Sequence, residues 1–260
     1  MAVYNISFVG AGNVAESLAT GLAASGHRIV SVASRNGVNA RALASAVGAE
    51  WKAGLSVPGN CDVVIISVTD SAVAQVAAGL VVPDGAVIAH TAGSVPLEVL
   101  GRKKGAGVFY PLQTFTKGFP PDLRKVPFFL EATDARTLQI LRELGESIGA
   151  GAWECDSQAR KKLHVAAVFT NNFSNYMMTT GASIASEAGI NPELLRPLME
   201  ETVRKALRTG PEAAQTGPAV RHDSGTVESH IDLLSFSPQY RKLYRLVSKM
   251  IAGHYRKKKK

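Results

Sequence analysis

The stretch "ISFVGAGNVAESLATGLAASGH", residues 6–27, constrains the fold more than any other part of the chain. A run rich in β-branched and aromatic residues leads into Gly10-Ala11-Gly12-Asn13-Val14-Ala15, and a helical pattern follows at once. A strand, a glycine turn and a helix in immediate succession are the opening of a βαβ unit. Gly10 permits the tight turn, Gly12 lets the backbone approach a pyrophosphate, and Ala15 fits the close-packed slot between helix and strand. Free amides and the helix dipole at the start of such a helix favour an anion. The plainer alternative is a turn that only packs a helix on a sheet. The context favours dinucleotide binding, with Gly10, Ala11, Gly12, Asn13 and Val14 as contacts.

Short β-branched runs then alternate with helical segments: "RIVSVAS", "AEWK", "DVVIISV", "AVIAHTA", "GVFY", "VPFFLEA" and "GAWEC" follow the first strand. This alternation predicts an α/β fold built on a Rossmann-type, largely parallel sheet. "DVVIISV" is apolar on both faces after its Asp, as a strand covered on both sides must be. In "DARTLQILRELGESIG" an apolar stripe of Leu138, Leu141, Leu144 and Ile148 predicts an amphipathic helix stopped at Gly149. The texture changes near residues 155–157, which predicts a nucleotide-binding domain over 1–155 and an all-helical domain over 156–260.

Strand ends on the first domain supply the other candidate contacts, because ligands of open α/β sheets bind beyond the strands' carboxyl ends. The second strand ends in Ser34, Arg35 and Asn36 with no acid for the ribose hydroxyls. An arginine there suits a 2′-phosphate, so NADP(H) is the expected cofactor in preference to NAD. Val68, Thr69 and Asp70 close the fourth strand, and His90, Thr91, Ala92 and Gly93 close the fifth. Asp70, Ser71 and Ser94 are equally suited to capping helices. In "FYPLQTF", Tyr110, Gln113 and Thr114 are candidates to face a small polar substrate, or members of an ordinary loop.

The helical end begins with one long helix, capped by Asp156 and ended near Gly189. On an ideal wheel His164, Asn171 and Asn175 fall close to one line within an apolar segment. Polar groups on such a face line a cleft or are satisfied core groups. His164 is the titratable member, suited to proton transfer near neutral pH. A second helix starts at Pro192 and a last one covers "PQYRKLYRLVSKMIAGHY". Between them "QTGPAVRHDSGTVESH" gathers Thr216, Arg221, His222, Asp223, Thr226 and His230. Asp223 is also a plausible N-cap, with Thr226 and His230 one turn apart behind it.

Composition narrows the function classes. The formal charge of +8 includes four lysines at 257–260, most simply a frayed, solvated tail. The body carries no basic motif with interleaved aromatics, which argues against a nucleic-acid partner. No apolar run reaches the roughly 18 residues of a membrane span, and the first residues lack the features of a signal peptide. Two cysteines, Cys61 and Cys155, imply neither a disulfide framework nor a metal site. A cytoplasmic location follows as the expectation.

The segments "GAGNVA", "SVTDSAV", "HTAGSVP", "GVFYPLQTF", "RKKLHVAAVFTNNF" and "QTGPAVRHDSGTVESH" span nearly the whole chain. With them the sequence resembles the Rossmann-like domain-of-unknown-function 2520 family of NADP oxidoreductases. More widely, it resembles pyrroline-5-carboxylate reductase and the 6-phosphogluconate-dehydrogenase-like superfamily. The resemblance implies an N-terminal Rossmann domain, a long interdomain helix, and a helical C-terminal domain that dimerises. It also implies a reductase (or dehydrogenase) of a small carbonyl or imine compound. Thr216 or His164 then supplies a proton, Asn171 and Asn175 line the site, and Arg221 holds a carboxylate. Two departures stand out. The Lys-x-x-x-Asn of the hydroxyacid dehydrogenases is replaced by His164 and Val168. The Thr-Ser-Pro-Gly-Gly-Thr-Thr turn of the pyrroline carboxylate reductases survives only as Thr216 and Pro218. A non-enzymatic NADP-binding sensor, and a ketopantoate-reductase-like enzyme, are the alternatives, because fold does not fix function.

Overall fold

The computed structural model describes residues 2–35, 37–101 and 104–256. Asn36 and the lysine tail at 257–260 lie outside the described residues. The contacts divide the chain into two compact units, residues 1–171 and 172–260.

The first unit is an eight-stranded sheet in the order β3-β2-β1-β4-β5-β6-β7-β8. The strands are β1 (Asn5–Val9), β2 (Arg28–Ser34), β3 (Glu50–Ala53), β4 (Val63–Ile66), β5 (Val87–His90), β6 (Ala106–Pro111), β7 (Phe128–Ala132) and β8 (Ala152–Glu154). All neighbours pair in parallel except β6 and β7, which are antiparallel. The exception follows from the connection. Residues 112–127 hold no helix long enough for a crossover, and a parallel neighbour needs one. Helices α1 (Asn13–Ala24), α2 (Gly37–Val47), α3 (Val73–Gly79) and α4 (Ala135–Ser147) cover the faces. This is the α/β Rossmann-type arrangement.

Burial on both faces explains the strand composition. Ile6, Phe8, Val63, Ile65 and Val87 pack under α1 and α4, while Val64, Ile66, Ile88 and Val108 pack on the other side. Two serines reach the interior of the sheet, and the Ser31 hydroxyl satisfies both by donating to Ser7 Oγ at 2.9 Å. Helix α4 buries Ile140, Leu141 and Leu144. Its N-cap Asp134 accepts from the Thr137 amide at 2.9 Å and from the Gly105 amide at 2.8 Å. Those amides hold the Asp134 carboxyl well below the usual range, Gly105 contributing most.

The long helix predicted from Asp156 to Gly189 is present, with an interruption. Asp156 accepts from the Ala159 amide at 2.7 Å and starts α5 (Ser157–Ala167). Residues Val168–Phe173 then form a π-turn before α6 (Ser174–Glu187). An ideal wheel advances about 100° per residue, and the wider turn advances less. The single line through His164, Asn171 and Asn175 is therefore lost, and both asparagines are exposed to solvent.

The second unit continues with α7 (Arg196–Thr209), the short α8 (Pro211–Ala214) and α9 (Pro218–Arg221), α10 (Ser224–Leu233) and α11 (Pro238–Arg256). Among its described residues only Thr180, Ala219, Ile231 and Leu234 are buried.

Candidate functional site

The carboxyl ends of β1, β2, β4, β5 and β6 carry most of the residues singled out on the first unit. Gly10 holds φ +111°, and a Cβ there falls 2.0 Å from the Ser67 carbonyl oxygen. Its amide donates to Ala33 at 2.8 Å, so the turn is locked to β2. Gly12 differs, because a Cβ on it meets nothing within 4 Å. It sits at the N-cap of α1 and supplies no capping side chain. The first amides of α1 thus suit an acceptor from outside the chain.

A cleft of about 300 Å³ opens beside this turn, lined by Gly10, Ser34, Arg35, Val68 and Gln75 among others. Among the described residues no carboxylate lines it. These residues fit a dinucleotide with a 2′-phosphate: a turn that admits the pyrophosphate, and an arginine at the end of β2. Ala11 and Val14 pack partly against the core beneath. Asn13 is already committed on its side chain, where Nδ2 donates to the Phe115 carbonyl at 2.9 Å.

The loop after β5 is tied down at almost every residue. His90 is completely buried and its Nδ1 accepts from the Ala92 amide at 3.2 Å. That bond places the ring proton on Nε2. Thr91 donates to Ser67 Oγ at 3.3 Å. Ser94 does not cap the following turn; its hydroxyl bonds the Asp70 carboxylate. Thr69 precedes a single 3₁₀ turn at Asp70–Ala72.

Burial drives the His90 imidazole down to about 4, and the Arg160 charge pushes the same way against the Pro96 carbonyl and Asp70. His90 is thus neutral in the fold and ionises more readily in the unfolded chain. Stability from this group is complete above pH 6.5 and is lost as pH falls toward 4, by on the order of 3 kcal/mol. The expected result is that His90→Leu flattens the slope of urea-derived stability between pH 6.5 and 4. An unchanged slope refutes this assignment.

Arg160 escaped the sequence argument. It stands in "RKK", which resembles a solvated run, yet its side chain is fully buried. It pairs with Glu131, and Nη2 donates to the Val95 carbonyl at 2.6 Å and to Ser157 Oγ at 3.1 Å. Ser157 in turn accepts from the Leu97 amide at 3.0 Å. The start of α5 thereby clamps the loop 91–97. The available signal was the spacing of Arg160 and His164, which places both on one face of α5.

His164 and Tyr110 come together at the same edge. Tyr110 Oη and His164 Nδ1 lie 3.1 Å apart, with the rings edge-on at 6.1 Å. Gly93 makes room for them: a Cβ there falls 2.7 Å from His164 Nδ1 and 2.7 Å from the tyrosine ring. Gln113 and Thr114 are exposed on the following loop, where Gln113 accepts from the Thr114 amide at 2.9 Å.

On the second unit Thr216 lines an apolar cleft of about 250 Å³ with Met177, Leu243, Tyr244 and Val247 among others. Arg221 ends α9 and is exposed. Asp223 caps α10, accepting from the Thr226 amide at 3.0 Å, and this bond chiefly lowers its carboxyl. His230 Nδ1 lies 2.8 Å from Tyr244 Oη. Among the described residues no cluster of three His, Cys, Asp or Glu side chains is placed to hold a metal ion, and no helix is long and apolar enough to cross a membrane.

Fold and edge together define a dinucleotide-binding α/β protein of the oxidoreductase class. Residues 5–93 match the family described as NADP oxidoreductase, coenzyme F420-dependent, and residues 126–251 match the domain-of-unknown-function family 2520. A Bacteroides fragilis protein assigned as an NADP oxidoreductase is 36% identical, over 96% of this chain and 98% of its own, with a TM-score of 0.85. A Thermotoga maritima protein is 26% identical over 98% of this chain and 100% of its own, with a TM-score of 0.77. An imine reductase from Myxococcus stipitatus, solved with NADP+, shares the fold at 16% identity, covering 97% and 93% of the two chains, with a TM-score of 0.64. No curated protein matches the sequence. The chain belongs to this NADP oxidoreductase family.

Proposed function

We propose that the protein is an NADP(H)-dependent reductase of a small carbonyl or imine compound, working as a homodimer in the cytoplasm. The observation that carries the cofactor assignment is the cleft beside Gly10, with Arg35 on its wall and no carboxylate among the described residues that line it. The nicotinamide supplies the hydride when bound. Gly10, Ala11, Gly12, Asn13 and Val14 cradle the pyrophosphate, while Ser34 and Arg35 take the 2′-phosphate. Val68, Thr69, Asp70, His90, Thr91, Ala92 and Gly93 border the nicotinamide side. Tyr110, Gln113, Thr114, His164 and Asn171 are the proposed substrate groups of the first unit; on the second unit, taken by itself, Asn175, Thr216 and Arg221 are the candidates. The imine half of the proposal draws on the fold shared with the imine reductase.

Exposed apolar residues on the second unit support the dimer. Leu194, Leu198, Leu207, Leu246 and Met250 are each more than half exposed. Such a surface, over a unit with so few buried residues, suits a second copy of the chain.

A fluorescence titration with NADPH and NADH tests the cofactor. Tight NADPH binding supports the proposal, and binding of neither nucleotide reduces the glycine turn to packing. Arg35→Ala is expected to weaken NADPH about tenfold or more, the loss of one charge-assisted phosphate contact, and to leave NADH within about twofold. Equal losses for both remove the preference for NADP(H).

A further inference from the structure

We propose that Tyr110 donates the proton in this reduction and that His164 holds its hydroxyl and returns the proton to it. The inference rests on the reductase reading and goes beyond it, by choosing the donor.

Other candidate donors beside Tyr110 are spoken for. Thr91 Oγ is bonded to Ser67, Ser94 to Asp70, and His90 is sealed in the interior with its accepting nitrogen on Ala92. Tyr110 is the penultimate residue of β6, and its hydroxyl meets a group able to exchange protons with water, the half-buried His164. With the imidazole proton on Nδ1, His164 donates to the tyrosine oxygen and leaves the Tyr110 O–H free for the substrate. Gly93 lets the pair press against the backbone of the loop 91–95, where any side chain collides with both rings.

Burial, more than charge, keeps the tyrosine protonated. Burial raises the Tyr110 hydroxyl, Asp70 raises it further, and the Arg160 charge opposes them. His90, buried and neutral, adds no charge. Tyr110 is therefore an O–H donor throughout the neutral range, not a phenolate.

The step balances. A hydride reaches the carbon of the C=O or C=N bond, whose π pair becomes a lone pair on oxygen or nitrogen. That atom takes the Tyr110 proton, the phenolate recovers the His164 Nδ1 proton, and Nε2 takes one from water. One hydride and one solvent proton are consumed per turnover.

The test uses the full-length protein with NADPH and three probes: 1-pyrroline, cyclohexanone and pyruvate. Tyr110→Phe is expected to lower kcat about 100-fold or more, the size of a lost general acid, with the NADPH Kd within about twofold. His164→Gln, which keeps a polar partner but cannot pass a proton from one ring nitrogen to the other, is expected to lower kcat about tenfold. Added imidazole is expected to restore part of the rate of His164→Ala. Independently of turnover, the ¹⁵N resonance of His164 Nδ1 in the NADP+-bound protein is expected to move when Tyr110 becomes Phe. Undiminished kcat in Tyr110→Phe, or an unmoved resonance, overturns the inference alone. An undiminished kcat in His164→Gln overturns the relay. A wild-type protein that binds NADPH and reduces none of the probes overturns the reductase reading, and the inference with it.

Discussion

Gly10→Ala is expected to destabilise the fold by about 3 kcal/mol or more and, in whatever protein still folds, to cut NADPH affinity at least tenfold. Two costs add. Alanine is strained at φ +111°, a cost of about 1–3 kcal/mol. Its methyl also meets the Ser67 carbonyl oxygen at 2.0 Å, backbone that cannot swing aside without moving the end of β4. Gly12→Ala is the informative partner. Its methyl meets nothing within 4 Å, so stability is expected to change by less than about 1 kcal/mol. NADPH affinity is nevertheless expected to fall at least tenfold, because that methyl stands where the pyrophosphate must approach. Urea denaturation and NADPH titration of the two variants separate a glycine needed by the fold from one needed by the ligand. Normal NADPH binding by Gly12→Ala removes the glycine turn from the cofactor site.

The same distinction governs what could be seen in the sequence. The central strands were legible because burial on both faces demands unbroken β-branched runs, as in Val63–Ile66. The cap at Asp156 was legible because a short carboxylate before a helical pattern has one common use. The direction of β7 was not sought in composition, although the helix-free connection 112–127 contained the reason. The π-turn at Val168–Phe173 was not legible at all, since no residue type demands it, and it broke the wheel that joined His164 to Asn175. At the candidate site, Gly10 and Arg35 announced themselves by position after a strand. The contact between Tyr110 and His164 joins residues 54 positions apart and is created by the missing side chain of Gly93, which a linear pattern does not display.

Arg160→Met is expected to cost about 3–5 kcal/mol, the largest effect predicted for a residue outside the glycine turn. The loss is not the strength of an ion pair. Removing the guanidinium leaves the Glu131 carboxylate, with a side chain only 16% exposed, without its compensating charge. It also strips a donor from the Val95 carbonyl. Replacing both charges, as Arg160→Met with Glu131→Gln, is expected to recover part of the loss, because no unpaired charge then remains. A coupling measured by the double-mutant cycle identifies the pair as the source. The consequence for function runs through the loop 91–97, which Arg160 and Ser157 clamp to the start of α5. A protein retaining the fold but not the clamp is expected to show faster amide exchange at Thr91–Leu97, with the glycine turn at Gly10 unaffected. If exchange in that loop stays as slow as in the wild type, the arginine serves the core alone and not the site.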